Sequence, residues 1–299
     1  MGCWPIAGIT SINVSEASSL ATLEAAADVG INHFDTAYCY GYDGESERMV
    51  GRALGHRREE LVIATKGGIH WENKQQAKDA SPARLKRECD ESLSRLGMDV
   101  IDLYYLHSPD PNVPITESAG CFLELLEAGK IRSVGVSNTT LEQMQQFASV
   151  CPIHAYQPRY NMLQRQIETS QLPWCRQNNV AVMVYWPLMK GLLAGKIPRD
   201  HQFDPADGRQ RLPMFQGAEW DKNQDFLDEL RVLASEDGLT AAQLLVCEAL
   251  HPPGVPTALC GAKRPEQIRE TADSLQVELA ADVINRIDAA IEQRGPIAA

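Results

Sequence analysis

The chain has 299 residues with 28 basic and 40 acidic side chains, a net charge of −12. Such acidity disfavours a nucleic-acid groove or a basic membrane-binding face, while 44% apolar against 23% charged residues is ordinary globular composition. At roughly 150 residues per domain the length suggests two domains, although one α/β barrel takes about 250.

The opening residues, Met1 to Ile6, have neither a basic stretch nor a long apolar one, so no secretory leader is expected. The longest apolar run, Val180 to Met189, has ten residues. A membrane-spanning helix needs about 20, so this run reads as a buried strand. Eight cysteines occur, the closest pair 13 residues apart (Cys247 and Cys260). Without a CxxC pair, zinc ribbons and thioredoxin chemistry are disfavoured, and no metal site is expected. A reduced thiol set in the cytoplasm is the default.

In chain order, strands are expected at Gly2–Ile6, Asn32–Asp35, Leu61–Lys66, Val100–His107, Ile131–Ser137, His154–Gln157, Ala181–Trp186 and Pro256–Cys260. Helical stretches separate them, which indicates βα units and a parallel sheet. The clearest helix lies within Ser81–Gly97. Ser81 suits the N-cap, Pro82 the first helical position and Gly97 a left-handed end. Its Leu85, Cys89, Leu93 and Leu96 share one face. A long irregular stretch, Leu188–Asp221, follows the seventh strand, and a last helix is expected at Leu279–Arg294. Eight such units favour one closed (β/α)₈ TIM barrel domain over residues 1–299, with an open doubly wound sheet as the alternative.

Polar residues gather at the C-terminal ends of these strands: Asp35, Lys66, His107, Ser137 with Asn138, and Gln157. Each alone reads as an ordinary loop start. In a barrel, however, five consecutive strand ends converge on one mouth. Two other histidines compete for a chemical role, but His33 falls within a strand and His70 in a loop after the third, so both read as structural or surface residues. No Gly-x-Gly occurs, and Gly195-Lys196 is followed by isoleucine. Neither a Rossmann fingerprint nor a Walker A loop is therefore present.

The run His33-Phe34-Asp35-Thr36-Ala37-Tyr38-Cys39-Tyr40-Gly41, followed by Ser46-Glu47, resembles the first aldo-keto reductase signature. Leu103 to Asp110 resembles the second, and Gly129 to Asn138 resembles the strand-five motif. Tyr185 to Lys196 and Gly261 to Thr271 resemble the family's cofactor segments. The resemblance runs from Gly2 to about Leu275 and implies the (β/α)₈ barrel reached independently.

It further implies a catalytic tetrad of Asp35, Tyr40, Lys66 and His107. Tyr40 would supply the proton that a reduced carbonyl needs, and the nearby Lys66 ammonium is expected to lower the tyrosine pKa from about 10. Asp35 would fix Lys66, and His107 would orient the carbonyl. Ser137, Asn138 and Gln157 would hold the nicotinamide carboxamide, with Tyr185 or Trp186 stacking on its ring. Leu188, Lys190, Gly191 and Leu192 would follow the pyrophosphate, and Lys196 would also bind the cofactor. The segment Asp207 to Arg211 is a candidate lid.

Gly261, Lys263 and Arg264 before the last barrel helix would favour a 2′-phosphate, hence NADP(H). Gln267, Glu270 and Thr271 would complete that end, although many relatives carry arginine and asparagine in place of Gln267 and Thr271. Trp4 and Trp71 would line an apolar pocket for a small aldehyde or ketone. Relatives usually begin with a β-hairpin across the barrel bottom, and a barrel without that plug is expected. Two other functions fit parts of the chain. One is a cofactor-binding regulatory protein like the potassium-channel β subunits; the other is a Schiff-base lyase using Lys66.

Overall fold

The computed structural model describes residues 1–9 and 13–298. Among these residues, seven parallel strands form the main sheet: β1 (His33–Asp35), β2 (Val62–Gly67), β5 (Leu103–Leu106), β6 (Val134–Ser137), β7 (Ala155–Gln157), β8 (Ala181–Tyr185) and β9 (Thr257–Leu259), in that spatial order. Strands β3 (Ile69–Glu72) and β4 (Gln75–Lys78) form a separate antiparallel hairpin directly after β2.

The expected first strand, Gly2–Ile6, is reduced to one bridging residue. Gly2 pairs in parallel with both Asp35 and Gly261, its N–H donating to Cys260 O at 2.9 Å, while Cys3 N–H donates to Asp35 O at 2.8 Å. These contacts join β1 to the end of β9 and leave the barrel nearly closed. Pro5 lacks a backbone N–H for a ladder, and Pro5–Ala7 turns instead into a 3₁₀ helix.

Among the described residues, ten helices surround the strands: α1 (Glu16–Asp28), α2 (Glu45–Leu54), α3 (Pro82–Leu96), α4 (Ile115–Glu127), α5 (Leu141–Ala148), α6 (Gln171–Gln177), α7 (Gly217–Glu236), α8 (Ala241–Leu250), α9 (Pro265–Ala272) and α10 (Ala281–Arg294). Helix α3 has the expected ends. The Ser81 hydroxyl accepts from Arg84 N–H, and Gly97 takes φ +65°. Its Leu85, Cys89 and Leu96 are buried in the apolar layer between strands and helices, alongside Phe34, Ile63, Val134 and Val182. A second apolar cluster joins α7, α8 and α10 to Met189, Leu192 and Met214, so the segment after β8 is packed down rather than free.

That segment is shorter than expected. It carries 3₁₀ turns at Met189–Gly191, Gly208–Arg211 and Pro213–Phe215, and α7 already begins at Gly217 instead of after Asp221. Among the described residues, no helix is long and apolar enough to cross a membrane.

Candidate active site

Strand β1 ends at Asp35, and the chain then runs on along β2. Thr36 N–H donates to Ala64 O at 2.8 Å and Tyr38 N–H to Lys66 O at 3.0 Å. This brings Tyr40 round to the end of β2, where Gly41 must follow it. Gly41 has φ +110°, and a Cβ there would lie 2.7 Å from Glu45 N, so no other residue fits without moving α2. The neighbouring Ser46 hydroxyl accepts from Thr36 Oγ1 at 2.8 Å, and Glu47 is buried against Thr65 Oγ1 at 2.6 Å and Arg95. The Ser46-Glu47 pair thus anchors the loop that carries Tyr40.

Lys66 is completely buried. Its ammonium donates to Asp35 Oδ1 at 2.5 Å, to Thr36 O at 2.7 Å and to Tyr40 Oη at 3.3 Å. All three of its protons therefore have acceptors, which is what allows a charge to stay in such a place. From the far side of the barrel, Gln157 Nε2 donates to Asp35 Oδ2 at 2.7 Å. The result is one chain, Gln157–Asp35–Lys66–Tyr40, drawn from the ends of three strands and one loop.

His107 follows β5, tied by its N–H to Gly67 O at 2.9 Å and by its carbonyl to Asn138 Nδ2 at 2.9 Å. Its ring centroid lies 5.9 Å from that of Tyr40. Burial, then Lys66 and Lys78, hold the imidazole well below its usual pKa, so it is neutral at neutral pH. Tyr40 departs from expectation. Burial, aided by the Asp35 charge, pushes its hydroxyl well above 10, and these outweigh the ammonium beside it. The phenol is thus held protonated.

The two expected pocket tryptophans both reach this mouth. The Trp4 ring packs edge-on to Tyr40 at 4.9 Å. Trp71 donates its indole N–H to Cys39 O at 2.8 Å and packs on Tyr42 at 4.9 Å. Of the competing histidines, His33 lies on β1 and is held to about 4 by burial. His70 is not in a loop but on β3, buried beside Glu72 at 2.8 Å. Neither joins the cluster.

A buried Asp–Lys–Tyr relay with a neutral histidine beside it, at the C-terminal ends of barrel strands, agrees with the comparisons to known proteins. The Aldo/keto reductase family model matches residues 1–292. The chain belongs to this family.

The aldo-keto reductase YhdN of Bacillus subtilis (strain 168) is 39% identical over 276 residues, covering 91% of this chain and 83% of that protein. The NADH-specific methylglyoxal reductase of Escherichia coli (strain K12) is 34% identical over 295 residues, covering 93% and 90%. Among solved structures, the glycerol dehydrogenase of Gluconobacter oxydans superposes with a TM-score of 0.91 at 36% identity, covering 99% of this chain and 91% of that one. Members of the aldo/keto reductase family are oxidoreductases that use a nicotinamide cofactor.

The residues present here fit such a cofactor. Ser137 Oγ donates to Gln157 O at 2.8 Å, Asn138 Nδ2 lies 3.1 Å from Ser137 Oγ, and Tyr185 Oη donates to Asn138 Oδ1 at 2.7 Å. These form a polar wall next to the relay. Gln157 gives one of its two amide N–H groups to Asp35 and so ties this wall to the relay. Tyr185 is the ring built into that wall. Trp186 instead has φ +62°, rare for a bulky residue, with its carbonyl held by Asn161 and its ring under Lys190 Nζ at 4.6 Å.

Lys190 has no carboxylate partner among the described residues, and burial lowers its pKa. Next to it, a Cβ on Gly191 would meet only Arg209 Nη1, at 3.6 Å, while Leu192 is buried in the second apolar cluster and Leu188 packs against it. Arg209 is held by the buried Asp207 at 2.6 Å, and both charges act on Lys263, whose pKa is lowered by burial and then by Arg209. The candidate lid thus puts Arg209 beside Gly191 and a charge pair near enough to act on Lys263.

At the start of α9, Arg264 is the N-cap residue and Pro265 the first helical one. Gln267 Oε1 accepts from Lys263 N–H at 2.9 Å and so braces this turn, while Thr271 Oγ1 donates back to Gln267 O. Glu270 forms an ion pair with Lys196, which occupies both side chains. Three contributors were not singled out by the sequence, although Thr36 and Cys39 lie within the first signature run. Thr36 acts through its carbonyl, Cys39 touches His107, and Lys78 belongs to a hairpin that the residue pattern did not suggest.

Proposed function

We propose that this aldo-keto reductase uses NADPH to reduce a small aldehyde or ketone reversibly to the alcohol, with Tyr40 as the proton donor. The observation carrying this reading is the relay Gln157–Asp35–Lys66–Tyr40, with a neutral His107 alongside. Ser137, Asn138, Gln157 and Tyr185 would hold the nicotinamide end, Lys190 and Gly191 the pyrophosphate, and Lys263 with Arg264 a 2′-phosphate.

When bound, the cofactor supplies the hydride. The carbonyl oxygen that gains negative charge needs a proton, and Tyr40 Oη, held protonated by its burial, has one to give. Once the proton leaves, the Lys66 ammonium at 3.3 Å stabilises the phenolate that remains. Asp35 and Thr36 O keep the ammonium in place, so no rearrangement is needed as charge develops. His107, uncharged, orients the carbonyl without itself competing as an acid. The Trp4 and Trp71 rings would give the pocket apolar walls and keep water from the reacting atoms.

The test is to mix the protein with NADPH and a panel of reactive aldehydes and follow absorbance at 340 nm. Turnover by the wild type, lost in Tyr40→Phe while NADPH binding persists, is expected. Retained turnover in Tyr40→Phe would remove Tyr40 from its role.

A further inference from the structure

Cys39 sits one residue before Tyr40 and is almost fully buried. Its Sγ lies 3.6 Å from Nδ1 of His107, 68 residues further along the chain. The Cys39 backbone is held beside this contact by the Trp71 indole, which donates to its carbonyl at 2.8 Å. His107 is equally fixed, through its own N–H to Gly67 O and its carbonyl to Asn138. The two residues therefore meet side chain to side chain at Nδ1 of the imidazole.

We infer that Cys39 is a positioning residue whose S–H donates to Nδ1 of His107, placing the single imidazole proton on Nε2 for the substrate carbonyl. This rests on the carbonyl-reductase reading above and adds to it a residue that sets the histidine's tautomer.

The direction of the bond follows from the chemistry of the two groups. A neutral imidazole has one N–H and one bare nitrogen, and the partner of one nitrogen decides which is which. A thiolate would accept from Nδ1–H and put the proton on the wrong side. A thiol sulfur is a poor acceptor, whereas a bare imidazole nitrogen is a good one. Burial pushes the Cys39 thiol up to about 12, so the S–H is present throughout the neutral range. The same burial keeps His107 uncharged, which is the condition for a tautomer to exist at all. Among the described residues, no other side chain bonds to this sulfur, and no protein group bonds to Nε2.

The test needs the full chain labelled with ¹⁵N-histidine. Two-bond ¹H–¹⁵N correlation spectra at pH 7 read the tautomer directly, and the signal that disappears in His107→Gln assigns the residue. The proton on Nε2 in the wild type is expected; a proton on Nδ1 overturns the proposal with no variant needed. Cys39→Val removes the donor while filling its space, and Cys39→Ala removes it without filling. Both should let the two tautomers interconvert and lower kcat for aldehyde reduction about fivefold, with NADPH affinity unchanged. An unaltered tautomer together with unaltered kcat in Cys39→Val would equally overturn it. The spectra do not depend on turnover. A wild type that reduces no carbonyl would thus count against the proposed function while leaving the tautomer measurable.

Discussion

Gln157 donates its amide N–H to Asp35 across 122 residues of sequence and the full width of the barrel, at 2.7 Å. Both side chains are buried. Asp35 thus has one oxygen on Lys66 and the other on Gln157, and the carboxylate cannot rotate without breaking one of them. Gln157→Leu strips that second bond and leaves a buried carboxylate oxygen without a donor. An unsatisfied buried acceptor costs about 1–3 kcal/mol. Urea denaturation should show a loss in that range, and kcat should fall as the Lys66 ammonium loses its fixed partner. Unchanged stability and kcat would mean that the bond contributes nothing.

The relay and His107 also fix how activity depends on pH. Burial holds the Tyr40 hydroxyl well above its usual value and the His107 imidazole well below its own. Both groups therefore keep one protonation state across the neutral range. For carbonyl reduction, kcat/KM should be flat from about pH 6 to pH 9. The linkage to stability has a definite sign. An unfolded histidine protonates near 6.5, while folded His107 resists protonation. The stability it contributes is thus present above that pH and is lost as pH falls. An acidic limb in kcat/KM centred near 6.5 would show that His107 titrates as it does in water.

Lys263 provides the test of cofactor choice. It lies at the turn before α9 with Arg264, and the Asp207–Arg209 pair of the preceding segment acts on it. A charge-assisted contact to a phosphate is the kind that gives discrimination. Lys263→Ala should weaken NADPH at least about tenfold and leave NADH nearly unchanged, as read by quenching of protein fluorescence. Equal weakening of both would place Lys263 at the shared part of the dinucleotide instead.

Much of this site could be read from sequence because a barrel puts its chemistry at strand ends. Asp35, Lys66 and His107 each terminate or follow an apolar run, so local pattern located them without any knowledge of contacts. The caps of α3 were equally local, since Ser81, Pro82 and Gly97 act within a few residues of themselves. Pairings were not legible. Nothing in the spacing of Cys39 and His107, or of Gln157 and Asp35, announces that they touch. The β3–β4 hairpin was hidden for a different reason. Its turn residues Asn73 and Lys74 both take left-handed φ, 49° and 62°, with no glycine to mark them, and Gln75–Lys78 has no apolar alternation. Conversely, the run Gly2–Ile6 has the composition of a strand, but Pro5 turns it into a 3₁₀ helix. The Tyr40 pKa moves up rather than down because burial, which the sequence does not show, outweighs the lysine, which it does.

Away from the site, Glu248 on α8 makes a prediction about stability. It is 5% exposed, and its Oε2 has no hydrogen-bond partner among the described residues. Burial pushes its carboxyl up from 4.5 to about 7; Arg165 pulls it back, and Glu168 and Asp288 push it further. A carboxyl raised on folding binds its proton more tightly in the folded chain than in the unfolded one. Its contribution is fully present below about 4.5 and is lost as pH rises through about 7. At about 1.4 kcal/mol per tenfold change in proton affinity, the total is about 3 kcal/mol. Glu248→Gln keeps the neutral shape at every pH. Its stability relative to wild type should therefore improve steadily from pH 5 to pH 8, by about that amount, in urea melts at each pH. The change in the difference is the quantity to watch, because the added amide N–H groups shift all pH values alike. A difference that stays constant over that interval would show that Glu248 ionises in the folded chain as it does in water.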